Sequence, residues 1–178
     1  MINRIKITGL FLLMGILLMG SGLPKQLQKR VEKEIEKVFE VENIEIKSYP
    51  VSSEINASLP TKITADNFFK LEKGSRLIGY FYVGNAPSKT AIFDYLVVFD
   101  ANVKVVHSKV LVYREEYGGE IGSKRWLKQF VGKSGKDRVD HTTNIDGISG
   151  ATISVRSMTN AIDSLLQTIG ILQNKKLL

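Results

Sequence analysis

The run IFDYLVVFDANVKVVHSKVLVY, residues 92–113, decides the fold. Residues 92–99 and 103–113 are rich in Val, Ile, Tyr and Phe, the β-branched and aromatic side chains that suit a pleated surface. Asp100, Ala101 and Asn102 stand between them as a tight turn, so the two runs predict an antiparallel hairpin. A third run, residues 76–83, precedes the hairpin across a loop at 84–90 that contains Pro87. Further upstream, residues 44–49 alternate apolar and polar before Pro50, as a short strand does, and residues 66–73 read as one or two helical turns closed by Gly74. The pattern predicts an α+β class: a mainly antiparallel sheet with packed helices, one domain after an N-terminal segment.

Helical patterns flank the strands. Leu27, Val31, Ile35, Val38 and Phe39 recur at steps of three and four, and Pro24 suits a first helical turn. Glu32, Glu34 and Glu36 alternate with Lys33 and Lys37 on the wet faces, so this helix reads as a stalk or a packing helix rather than a basic membrane-surface helix. Residues 123–130 form a short helix with Ser123 as its cap and Trp126, Leu127 and Phe130 on one face, Trp126 being read as core. Val155, Met158, Ile162, Leu165, Leu166 and Ile169 give residues 154–169 a buried stripe, after which Gly170 and the Lys175-Lys176 tail end the chain.

The N-terminus reads as an export segment. Arg4 and Lys6 precede an apolar run at 7–19, followed by Gly20, Ser21 and Gly22. Residues 1–23 are therefore expected to be a signal peptide or membrane anchor, 24–74 an amphipathic helix with a leading α/β segment, 75–172 the main domain and 173–178 a basic tail. Lys25, Lys29, Arg30, Lys33 and Lys37 outnumber the cations before the run, a bias that by itself holds a downstream domain in the cytoplasm.

Composition narrows the chemistry. The chain has 178 residues, 43% hydrophobic and 24% charged, enough to bury one core without metal or disulfide staples. It contains no cysteine, which excludes disulfides, thiolate metal sites and cysteine catalysis. His107 and His141 are not at metal-ligand spacing, so no metal site is expected, and neither a Gly-x-Ser-x-Gly elbow nor a Glu-x-x-His pair occurs. The Gly132-Lys133-Ser134-Gly135-Lys136 loop lacks the upstream glycine of a phosphate loop. The net charge of +7 is spread along the chain, which suits an anionic lipid surface as well as any polyanion, and no nucleic-acid partner is expected.

One motif carries chemistry. Asp146-Gly147-Ile148-Ser149-Gly150-Ala151-Thr152 runs directly into the closing helix. A helix start has unpaired N–H groups and a partial positive charge, so it attracts anions. Gly150 and Ala151 let a ligand approach the backbone, and Ser149 and Thr152 offer hydroxyls. A Ser/Thr/Asp cluster at this place also serves as an ordinary helix cap. Upstream, Glu115-Glu116-Tyr117-Gly118-Gly119-Glu120-Ile121-Gly122 follows the hairpin as a glycine-rich loop.

Asp-x-x-Ser-Gly-Ala-Thr resembles the flavinylation motif of the bacterial FMN-binding domain family. That family includes the C subunit of the sodium-pumping NADH:quinone reductase and the G subunit of the Rnf complex. The resemblance spans residues 76–169 and implies FMN held covalently by a phosphoester on Thr152. Asp146, Ser149, Gly150 and Ala151 would be read by a flavin transferase that uses FAD and magnesium. It further implies that the loop after the hairpin lies against the flavin ring, through Glu116, Tyr117, Gly118 and Gly119. The chain departs from the family there, having Tyr117-Gly118-Gly119 in place of a Thr-Pro pair. The family's position implies a bacterial domain at the outer face of the cytoplasmic membrane or in the periplasm, opposite to the lysine bias above. The expectation is an exported electron carrier rather than a self-sufficient enzyme, partnered by membrane or surface redox proteins that Lys124, Arg125, Lys128 and Lys133 would steer. The alternative is a non-redox membrane-surface binding or adaptor module in which the motif is only a helix cap.

Overall fold

The computed structural model describes residues 18–19, 23–41 and 43–178. The signal or anchor expected at 1–23 therefore lies outside the described residues, apart from Leu18, Met19 and Leu23. Among the described residues no helix is long and apolar enough to cross a membrane.

The elements run β1 (Leu18–Met19), α1 (Lys25–Phe39), β2 (Glu45–Ser48), α2 (Ser53–Ser58), β3 (Phe68–Lys73), β4 (Arg76–Pro87), β5 (Ile92–Asp100), β6 (Val105–Val112), α3 (Lys124–Leu127) and α4 (Thr152–Asn174). They form one sheet in the order β1-β2-β3-β4-β5-β6. From β2 to β6 every neighbour is antiparallel, and only the two-residue β1 is parallel to β2. The class is α+β with a mainly antiparallel sheet, as the sequence predicts.

Both faces of the sheet are covered, which explains why the central strands are apolar on both sides. Phe93, Tyr95, Val97 and Phe99 of β5 face the core under α4, with Tyr80, Tyr82, Met158, Ile162, Leu165 and Leu166. Leu96 and Val98, the alternate residues, face the core under α1 with Val31, Ile35, Phe81 and Leu111. Each fully buried side chain of this size contributes about 1.5–3 kcal/mol of transfer free energy. Helix α1 is thus a packing helix of the domain. Its Arg30 guanidinium donates to the Leu111 carbonyl, and its Glu34 carboxylate lies 3.0 Å from His107 Nε2 on β6.

Three local expectations are corrected. Residues 66–73 do not form helical turns: Phe68–Lys73 is strand β3, paired with β2 and β4. Phe68 and Leu71 fit a helical step, but six residues are too few for a helix to stand without a face to bury. As a strand the segment buries both faces and stacks Phe69 on Phe81 at 4.7 Å and Phe68 on Tyr80 at 5.7 Å. The loop expected at 84–90 begins later, because β4 continues to Pro87 in register with Ile92. Beyond Tyr82 the strand has β5 alone as a neighbour, an edge setting in which proline is tolerated. Finally, α4 starts at Thr152 and runs through Gly170 to Asn174. Gly170 does not end the helix; a Cβ there would stand 2.5 Å from the Gly135 carbonyl oxygen, so the residue lets a loop pack onto the helix backbone.

Candidate functional site

The end of β6, the loop after it and the first turn of α4 meet around a cavity of about 490 Å³. Its walls are Lys89, Tyr113, Glu115, Tyr117, Gly150, Ala151, Thr152, Ile153 and Ser154. Four residues singled out in the sequence, Thr152, Ala151, Gly150 and Tyr117, lie on this wall. Gly118 sits just behind it, buried and at φ +81°, where a Cβ would stand 2.9 Å from the Tyr113 hydroxyl and 3.1 Å from Ala151 Cβ. That close approach brings the glycine-rich loop and the motif together. Asp146, Ser149, Glu116 and Gly119 are exposed and are not part of the wall.

Helix α4 begins without a side-chain cap. Its N-cap is Ala151, and the first helical bond runs from Val155 N–H to the Ala151 carbonyl. The N–H groups of Thr152, Ile153 and Ser154 are the unpaired donors of the helix start. The Thr152 side chain is exposed, and neither its hydroxyl nor that of Ser149 takes part in any protein hydrogen bond among the described residues. The motif therefore offers free hydroxyls next to free N–H groups, and the capping role expected of its polar side chains is not made.

The approach to Thr152 is fixed from below. Trp126, read in the sequence as core, is buried, and its indole N–H donates to the Asp146 carbonyl at 2.7 Å. Asp146 N–H in turn donates to Gln129 Oε1 at 2.8 Å. Ser123 caps α3 as expected, accepting from Trp126 N–H, so α3 and the turn that follows it hold the first residue of the motif through both of its backbone groups. Gly150, at φ +81° with open space around its α-carbon, makes the last bend before the helix.

The opposite wall is equally ordered. The Tyr113 hydroxyl donates to the Tyr117 carbonyl at 3.2 Å, which leaves the Ser154 hydroxyl to donate to Tyr113 at 3.0 Å. Glu115 binds the 88–91 loop: its carboxylate receives Thr90 N–H at 2.6 Å, Thr90 Oγ1 at 2.9 Å and Ala91 N–H at 3.1 Å, with Ser88 Oγ at 2.7 Å. The Ser88 hydroxyl and these Thr90 and Ala91 donors hold the Glu115 carboxyl down at about 2. Ser157 on α4 donates to the Pro87 carbonyl, tying the same loop to the helix. At the mouth Tyr117 is 80% exposed and Ile153 50%, which leaves an aromatic face and an aliphatic one flanking the opening.

Lys89, Tyr113, Glu115, Ile153 and Ser154 were not among the residues singled out in the sequence. Tyr113 and Glu115 were visible as the end of a strand and the start of the loop; Lys89 carries no local signal, because its place depends on contacts to residues about 25 positions away. A second groove, of about 520 Å³, opens between α1, β6 and α3. It is lined by Glu34, His107 and the lysines Lys37, Lys109, Lys124 and Lys128. Among the described residues no group of carboxylates and histidines is arranged to hold a metal ion.

A cavity of this size at a helix start, with flat and aliphatic groups at its mouth, defines a small α+β domain built to hold a flat anionic ligand. Residues 92–167 match the family model of the FMN-binding domain, which supports an FMN-binding domain in this part of the chain. The match takes in β5, β6, both walls of the cavity except Lys89, and most of α4. No curated protein matches the chain. The residues present fit FMN. The helix start suits a phosphate, the close approach at Gly118 holds the Tyr117 loop against the motif, and Tyr117 offers a stacking face.

Proposed function

We propose that this chain is an exported electron-transfer flavoprotein that carries FMN through a phosphoester on Thr152. The single observation behind the attachment is the exposed, unbonded Thr152 hydroxyl on the first residue of α4, on the wall of the cavity and inside the FMN-binding domain. Asp146, Ser149 and Gly150 precede it on an exposed loop that a transferase can grip, with the buried Ala151 joining that loop to the helix.

In the attachment step, the Thr152 oxygen displaces AMP from the flavin-side phosphorus of FAD. One phosphorus–oxygen bond forms as the pyrophosphate bond breaks, with the hydroxyl proton passing to a base of the magnesium-dependent transferase. The chain's own part is to present the hydroxyl, and it does so because nothing in the protein competes for it. The N–H groups at the start of α4 would hold the phosphate of bound FMN, Tyr117 and Ile153 at the mouth would shelter its ring from water, and Tyr113 keeps the loop against the helix. Bound FMN supplies one- and two-electron redox chemistry.

Covalent tethering suits a carrier outside the cell, where a dissociated cofactor is lost by dilution. The basic and apolar character of residues 4–19 supports export to the outer face of the cytoplasmic membrane or the periplasm. The lysine-rich groove beside α3 suits an acidic membrane or surface redox partner. The adaptor alternative rested on the motif as a helix cap, and no side-chain cap bond supports it.

The test is the intact mass of the denatured protein after co-expression with a flavin transferase. The expected result is a gain of one FMN-sized group mapping to Thr152, absent in Thr152→Ala. An unmodified wild type, in cells that flavinylate a control protein, refutes the attachment.

A further inference from the structure

We propose that Lys89 is the counter-ion of the flavin phosphate, and that Glu115 is the residue that aims it. This rests on the reading of Thr152 as the attachment point. Lys89 lies outside the segment matched to the FMN-binding domain, so the match does not assign it.

Among the described residues, Lys89 is the one basic side chain on the wall of the cavity that Thr152 also lines. It is exposed and takes part in no ion pair. Arg114, the cation next to Glu115 in sequence, is committed elsewhere: it donates to Asp94 at 2.6 Å and to the Ile92 carbonyl at 2.7 Å. The remaining charged wall residue is Glu115, whose oxygens accept four hydrogen bonds from the 88–91 loop. Its donors are neutral and leave it ionised, so its negative charge stays on the wall and raises the need for a cation beside an anionic ligand. Ser88, Thr90 and Ala91, on either side of Lys89, are the residues it grips, so the lysine projects from the middle of a pinned segment. The Ser157 bond to Pro87 fixes the entry to that segment from α4, the helix that carries Thr152.

A phosphodiester keeps one negative charge, and the helix start alone offers a partial positive charge of roughly one half. A lysine ammonium on the same cavity wall supplies the one full positive charge there, against the phosphate and the ionised Glu115, and as a flexible point charge it accommodates a phosphate that a transferase must first deliver. The helix supplies direction; Lys89 supplies the balance of charge.

The experiment uses the full chain loaded by the transferase, with loading scored by intact mass, beside unloaded chain. Both are treated briefly with an amine-acetylating reagent, and the rate at each lysine is read by peptide mass spectrometry. Loading is expected to slow Lys89 several-fold and to leave Lys124 unchanged. The phosphorus-31 resonance of the loaded protein is expected to move in Lys89→Gln and to stay near the wild-type position in Lys89→Arg. In Glu115→Ala, compared with wild type at equal flavin loading by intact mass, Lys89 should regain its reactivity. Equal Lys89 reactivity with and without the flavin overturns the proposal, as does slowed acetylation with an unmoved resonance in Lys89→Gln, which is shading without an ion pair. If wild type gains no mass, the Thr152 reading itself fails and takes this one with it; if it loads and Lys89 is indifferent, the Thr152 reading stands and this one alone falls.

Discussion

Replacing Gly118 and Gly150 by alanine, one at a time, separates backbone strain from close packing at the junction of loop and motif. Both glycines sit at φ +81°. A Cβ in that region costs an L-residue about 1–2 kcal/mol. At Gly150 nothing lies within 4 Å of the added Cβ, so Gly150→Ala should cost about that and no more. At Gly118 the Cβ meets the Tyr113 hydroxyl at 2.9 Å, Ala151 Cβ at 3.1 Å and the Gly150 carbonyl at 3.3 Å. The tyrosine cannot swing away freely, because its hydroxyl is held by Tyr117 and Ser154. Overpacking of this kind adds roughly 1–3 kcal/mol. With a urea m-value of about 2 kcal/mol/M, Gly118→Ala should unfold about 0.5–1.5 M earlier than Gly150→Ala. Urea titration followed by far-ultraviolet circular dichroism on both variants and wild type reads the difference. Coincident midpoints for the two variants would show that the loop does not press on the motif, and the cavity as described would be wrong.

Other expectations follow from single contacts. Thr152→Ala should change stability by less than about 0.5 kcal/mol, since no cap bond is removed, and a larger loss by calorimetry would show that the hydroxyl is structural after all. Trp126→Phe keeps the ring against Phe130 but removes the donor to Asp146, which should cost about 0.5–1.5 kcal/mol and reduce flavin loading under limiting transferase; unchanged loading would mean the motif needs no support from below. Glu115 has a depressed carboxyl, so the bonding it gives the 88–91 loop is fully present above the ordinary glutamate range and is lost as pH falls toward about 2. Amide exchange at Thr90 should accordingly accelerate, beyond its intrinsic pH dependence, between about pH 4.3 and 2; intrinsic behaviour throughout would argue against the clamp. Gly170→Ala forces a Cβ onto the Gly135 backbone and should lower the melting temperature by about 2–12 °C, whereas no shift would mean that the 132–136 loop is free to move off α4.

Much of the fold was legible because its signals are local. The hairpin of β5 and β6 shows itself through β-branched runs on both sides of Asp100, Ala101 and Asn102, and α1 and α4 through their apolar stripes. The errors came where a partner decides. Residues 68–73 carry apolar side chains at spacings that fit either period, and only pairing with β4 selects the strand. Gly170 reads as a stop, and only the presence of Gly135 across from it explains its place within the helix. The same division holds at the site. Thr152 and its preceding residues form a contiguous motif, whereas the Glu115 clamp joins residues 24 to 27 positions apart and leaves no trace in either stretch alone.

The direction of α1 has a geometric consequence for how this domain meets its surroundings. Arg30 reaches Leu111 while Glu34, one turn later, reaches His107, so the helix runs opposite to β6. Its first residue, Lys25, is therefore at the end of the sheet where β6 gives way to Tyr113 and the cavity, with Arg30 roughly 8 Å along the helix from it. The chain ahead of Pro24 does not stay there: Leu18 and Met19 pair with β2 at the edge of the sheet farthest from β6. The exposed Lys25 and Lys29 stand at the cavity's end of the sheet, on the face opposite α4, and give that end of the molecule positive charge without lining the opening.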